Sequence, residues 1–151
     1  MGSRAGAHVM QPRSTAWAWA PGTWGEFVQG EIRPGHRVLV SVPSTLGSRA
    51  RVTVRERNRG MPQVIGCLGR NKARRAVQML LDALDEDAVQ VELAIHSMLP
   101  MGVGRASSSA DVLSALQATC TALGRPLSPR ALCGFAARVE PTNPTLIPGA
   151  C

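Results

Sequence analysis

The stretch Pro100-Met-Gly-Val-Gly-Arg-Ala-Ser-Ser-Ser-Ala-Asp111 limits most tightly what this chain can become. It falls between a run that alternates like a strand (residues 89–95) and a run with helical period (residues 107–123). Gly102 and Gly104 let the backbone approach a ligand closely, because no Cβ stands in the way. Ser107, Ser108 and Ser109 then open the helix. The first N–H groups of a helix have no partner within it and sit at its positive dipole end, so they suit an anion. Serine hydroxyls add donors for phosphate and oxygen ligands for Mg²⁺, and Arg105 adds a cation. A plain serine N-cap also accounts for one serine. Three serines after two glycines and a proline favour a phosphate loop. It is not GxxxxGK[ST], which is absent, and GxGxxG fails at Ser107.

The flanking segments predict an α+β domain. Residues 15–20 alternate Trp17 and Trp19 with small residues and predict a strand, broken by Pro21-Gly22-Thr23. Residues 26–32 and 37–42 predict a hairpin around Arg33-Pro34-Gly35-His36. Residues 43–47 predict a loop, and residues 49–57 a half-buried strand. Ala73, Ala76, Val77, Leu80, Leu81 and Leu84 predict a helix over 71–84. Val112, Leu113, Leu116, Cys120 and Leu123 give the second helix its apolar stripe, closed by Gly124 and Pro126. Ser128-Pro129 reads as N-cap and first residue of a third helix. Early strands followed by helices argue for α+β rather than a doubly wound sheet. Residues 1–13 carry no period and are expected to form a flexible tail.

Composition removes some function classes. No run approaches 18 apolar residues and no secretory leader is read, which points to the cytoplasm. Cys67, Cys120, Cys133 and Cys151 form no CxxC pair, and His8, His36 and His96 lack ligand spacing, which argues against zinc. Buried thiols in a reducing compartment fit instead. The net charge of +7 raises the question of nucleic acid. Arg49, Arg51, Arg55, Arg57 and Arg59 share one strand face by their odd spacing. The chain has only three Trp and two Phe, and none falls within that stripe, so the sequence argues against nucleic acid as a partner.

At residues 100–111 the sequence resembles the second motif of the GHMP kinases, Pro-x-x-x-Gly-Leu-Gly-Ser-Ser-Ala. Pro100, Gly104, Ser107, Ser108 and Ala110 match, while Arg105 and Ala106 replace Leu and Gly. Ala20-Pro-Gly-Thr-Trp-Gly-Glu-Phe-Val-Gln-Gly30 is similar to the opening motif of the L-threonine kinase branch, which serves cobalamin biosynthesis. Ala106-Ser-Ser-Ser-Ala-Asp111 and Glu140-Pro-Thr-Asn-Pro-Thr145 resemble two further motifs of that branch.

The resemblance implies an N-terminal domain like ribosomal protein S5 domain 2, spanning 14–151, with the family's C-terminal domain absent. It implies a kinase that moves phosphate from ATP to a hydroxyl of L-threonine or a similar amino-alcohol. ATP would lie on Pro100, Met101, Gly102, Val103, Gly104, Arg105, Ala106, Ser107, Ser108 and Ser109. Mg²⁺ would lie on Ser108 and Ser107. Glu26 and Gln29 would stand near the active site, with Glu26 catalytic. Asn143 stands where the branch has a catalytic-position Asp, and an amide accepts no proton as a carboxylate does. Residues 43–48 lack an acid and an aromatic of the branch, which bears on substrate choice. The other reading is a non-catalytic paralogue that binds a partner through surface left by the missing domain.

Overall fold

The computed structural model describes residues 12–57, 60–100, 102 and 105–140. A long hairpin, β1 (Pro12–Arg33) and β2 (His36–Glu56), turns at Pro34-Gly35. Next come the short strand β3 (Gln63–Gly66), helix α1 (Asn71–Ala83) and strand β4 (Val89–Ser97). Helices α2 (Ser107–Leu123) and α3 (Pro129–Val139) complete the order. The sheet runs β1-β2-β4-β3, antiparallel except for β3 beside β4. This is the expected α+β architecture.

Alternation along each strand decides which face is covered. Ala16, Ala50, Val52, Val54, Val91 and Leu93 point to one side of the sheet and are buried. There they meet Val77, Leu80 and Leu81 of α1 and Val112 and Leu116 of α2 in one apolar cluster. Burying each such Leu or Val stabilises by about 1.5–3 kcal/mol, so this layer holds the domain together. Ser128 caps α3 by accepting from the Ala131 N–H, as its Ser-Pro start predicts. Cys67, Cys120 and Cys133 are thiols rather than disulfides, with Cys120 and Cys133 buried.

Two local expectations fail, and one strand appears that the sequence did not suggest. The break at Pro21-Gly22-Thr23 does not end a strand, and residues 43–47 are not a loop. Both lie inside long strands, with register shifts on either side of Thr23. The reason is position in the sheet. β1 is an edge strand, and β2 loses its β4 neighbour beyond Ser48↔Ser97, so Pro21 and Pro43 leave no central ladder bond unmade. The strand β3 was not expected; four residues are too few to show a period. Residues 23–42 project beyond β4 as a two-stranded ribbon, with Trp24, Phe27, Val28, Ile32, Val40 and Val42 exposed. No helix among the described residues is long and apolar enough to cross a membrane.

Candidate functional site

Two helices begin at the same place. Neither α1 nor α2 has a side-chain cap or an acidic residue in its first turn, in contrast to α3 with its Ser128 cap. Their first residues line a cleft of about 300 Å³ together with Gly69, Arg70, Gly102 and Asp111. Asn71, Lys72 and Ala73 come from α1, and Ser107 and Ser108 from α2. Uncapped N–H groups, two positive dipole ends and the cations Arg70 and Lys72 converge there. Such a surface is chemically suited to an oxyanion with several oxygens.

The loop reaches this position by close backbone contacts. The Thr23 N–H donates to the Arg105 carbonyl at 3.1 Å, which ties the opening motif to the loop. A Cβ on Gly22 would lie 2.8 Å from that carbonyl and 2.5 Å from the Leu99 side chain, so only glycine passes there. Gly102 holds φ +78, in the left-handed region. Ala106, the residue before α2, also takes φ 53. That conformation costs an alanine roughly 1–2 kcal/mol, which gives a physical reason for glycine at the matching position of the family motif.

Two ion pairs, each with a buried carboxylate, fix the helix starts. Asp111, 2% exposed and the fifth residue of α2, accepts from Ser48 Oγ at 2.5 Å and from Arg70 at 2.6 Å. This joins β2, the segment before α1, and α2. Burial raises the Asp111 pKa, and Ser48 and Arg70 hold part of that rise back. Glu140, 4% exposed after α3, accepts from Lys72 Nζ at 2.8 Å and from Ser109 Oγ at 2.6 Å. Burial alone would raise its pKa, but Lys72 and the hydroxyls of Ser108 and Ser109 outweigh burial and lower it.

A lowered carboxylate pKa stabilises the fold above the unfolded value, about 4.3 for Glu, and that contribution is lost as pH falls through the folded value. Asp111 acts in the opposite sense, because its folded pKa is raised. Glu140→Gln is therefore expected to flatten the acid limb of stability. In urea titrations between neutral and acid pH, the wild type should lose more stability than the variant. Parallel losses would show that Glu140 does not titrate differently on folding.

The expected site residues divide. Gly102, Ser107 and Ser108 line the cleft. Ser109 is buried and turned to Glu140. The Arg105 guanidinium stands 4.6 Å from the Trp24 ring centroid instead of lining the cleft. Pro100 is exposed, and Ala106 is the N-cap residue of α2. Glu26 stands exposed on the ribbon opposite Ser41. Met101, Val103, Gly104 and Asn143 lie outside the described residues. Arg70, Asn71 and Lys72 enter the cleft unannounced by sequence, and Asp111 enters it having been quoted only as the end of a motif. Glu140, quoted there only as part of a motif, is bonded to two of its serines. Two signals could have found some of them: Lys72 is the only Lys of the chain, and Asp111 is the lone charge in an otherwise uncharged helix.

A sheet backed by helices, two of which start at one cleft beside Arg70 and Lys72, defines the class: an α+β domain with a candidate oxyanion cleft. The family follows from comparison. The sequence model described as "GHMP kinases N terminal domain" matches residues 71–145, and the chain carries a domain of that family. The L-threonine kinase of Salmonella typhimurium is 30% identical over 146 residues, 95% of this chain and 46% of that protein. Homoserine kinase from Cytophaga hutchinsonii has a TM-score of 0.58 at 18% identity, covering 88% of this chain and 42% of that one. Lactococcus lactis galactokinase, solved with galactose, has a TM-score of 0.63 at 17% identity, covering 83% of this chain and 37% of that one. At these identities the solved structures establish the fold. The chain spans less than half the length of these relatives.

Proposed function

We propose that this domain is the ATP-phosphate-binding half of a kinase that phosphorylates a hydroxyl of L-threonine or a similar amino-alcohol. The observation that carries the phosphate reading is the meeting of two uncapped helix starts, Ser107, Ser108, Arg70 and Lys72 in one cleft. The relative that is 30% identical and named L-threonine kinase supports the choice of acceptor.

The residues fit the groups proposed. Polyphosphate oxygens would take the α1 and α2 N–H groups, the serine hydroxyls and the two cations. Mg²⁺ keeps several waters and needs only one or two protein oxygens beside substrate phosphate. Ser108 and Ser107 offer hydroxyls, and the buried Glu140 carboxylate, bonded to Ser108 and Ser109, offers a charged oxygen. Bound ATP would supply the phosphoryl group, and Mg²⁺ would neutralise its charge. The chain's own part is positioning and electrostatics. Arg70 is held by Asp111, and Lys72 by Glu140, so both cations stand ready before a ligand arrives. Glu26 keeps the catalytic role that the resemblance implies, while Asn143, an amide at the branch's Asp position, would not serve as a proton acceptor.

The direct test incubates the chain with Mg-ATP and L-threonine and follows products by ³¹P NMR. O-phosphothreonine is the expected product. ATP bound without transfer to L-threonine, L-serine or L-homoserine would refute the acceptor and leave a binding domain.

A further inference from the structure

All three helices pack on one face of the sheet or on each other, so the opposite face stays open. The residues on it follow from register. Trp17 lies across from Arg51, and Trp19 from Arg49. Arg49 in turn faces His96 on β4, and Arg51 faces Ala94. Further along, Thr15 pairs with Thr53 through their hydroxyls at 3.1 Å, and Arg55 lies 3.5 Å from Glu92. Trp17 is 58% exposed and Trp19 45%. The arginine stripe read from sequence therefore does have aromatic partners. They are contributed by the neighbouring strand, where spacing along one segment cannot show them.

We infer that this open face, centred on Trp17, Trp19, Arg49 and Arg51, binds single-stranded nucleic acid. The two indoles stand two residues apart, about 6.6 Å along the strand, and both are exposed. The guanidinium carbons of Arg51 and Arg49 lie 5.5 and 6.0 Å from the Trp17 ring centroid. Neither arginine has a carboxylate partner among the described residues, and Glu92, the acid on this face, is taken by Arg55. Flat rings that stack bases, beside cations that take phosphates, are the two components of sequence-tolerant single-strand binding. The net charge of +7 adds a long-range attraction. An acidic peptide would use the arginines and leave the indoles idle; a nucleotide chain uses both. A duplex presents phosphate but keeps its bases stacked away from Trp17.

The cleft plays no part in this proposal, since it lies at the helix starts on the covered side of the sheet. Mg-ATP is therefore expected not to displace the strand.

Fluorescence anisotropy with labelled ten-nucleotide oligo-U and oligo-dT, titrated with the whole chain at several salt concentrations, tests it. The single strand should bind more tightly than a duplex of equal length. Trp17→Ala should weaken it about 5- to 150-fold, the range set by ~1–3 kcal/mol per stacked base. Its salt slope should stay unchanged, because Trp17 touches no phosphate. Trp17→Phe, which keeps a ring, should restore most of the affinity. Arg49→Ala and Arg51→Ala should each reduce the slope of log K against log salt by about 0.7. Absent binding would overturn the inference. So would affinity unchanged in Trp17→Ala, or polyglutamate competing as well as the oligonucleotide, which would leave a general polyanion surface.

Discussion

Ser108→Ala is expected to lower Mg-ATP affinity about 10- to 150-fold, measured by calorimetry on the folded variant. The figure follows from the ~1.5–3 kcal/mol of a hydrogen bond to a charged group, at about 1.4 kcal/mol per decade. Ser108 lines the cleft and also bonds to Glu140, so a loss could arise in two ways. Ser109→Ala separates them. Ser109 donates to the same carboxylate at 2.6 Å but lies buried away from the cleft. If Ser108 contacts phosphate or Mg²⁺, Ser109→Ala should change affinity far less. Equal losses would mean that both serines act only by holding Glu140. Unchanged affinity in Ser108→Ala would remove this serine from the ligand site.

The second large effect is on stability. Arg70→Ala removes the cation from Asp111 and leaves a carboxylate, 3% exposed, with Ser48 as its remaining partner. Breaking a buried pair on one side costs about 3–5 kcal/mol. Arg70 itself is 24% exposed, which lowers the expectation to about 2–4 kcal/mol. At ~2–4 °C per kcal/mol for a domain of this size, the thermal midpoint should fall by about 4–16 °C. Asp111→Asn in the Arg70→Ala background should recover part of this loss, since a neutral amide is cheaper to leave buried than an unpaired charge. The double variant should thus be more stable than Arg70→Ala. Strict additivity of the two single changes would show that the pair is not coupled.

The two predictions concern different levels of the same cleft. Ser108 is on its surface, where a ligand's oxygens would arrive. Arg70 and Asp111 form the strut behind it, joining β2, the entry to α1 and the N-terminal part of α2. A shift of that strut moves two helix starts at once. Loss of Arg70 is therefore expected to affect nucleotide binding as well as folding.

Much of the fold could be read locally. The apolar period of α1 and α2, the Ser-Pro start of α3 and the turn at Pro34-Gly35 depend on neighbours within a few residues. So does the loop chemistry, because a helix start with small and hydroxyl residues is an anion site wherever it stands. Strand ends were less legible. Pro21 and Pro43 are breakers by local rules, yet both lie in strands, because a proline's missing N–H matters only where a neighbour would have accepted it.

The site itself was half legible. Ser107 and Ser108 were readable, but their partners Arg70 and Lys72 lie over thirty residues away, and only packing of α1 against α2 brings them together. The pairing of Trp17 with Arg51 is likewise a matter of register between two strands. By itself the sequence determined the three helices, the cores of the longer strands and the chemistry of the candidate phosphate loop, because these depend on residues adjacent in the chain. The tertiary structure decided which cations complete the cleft, which carboxylates hold them and which aromatics stand beside the arginines. Those depend on the sheet order and on one buried apolar layer that no single segment contains.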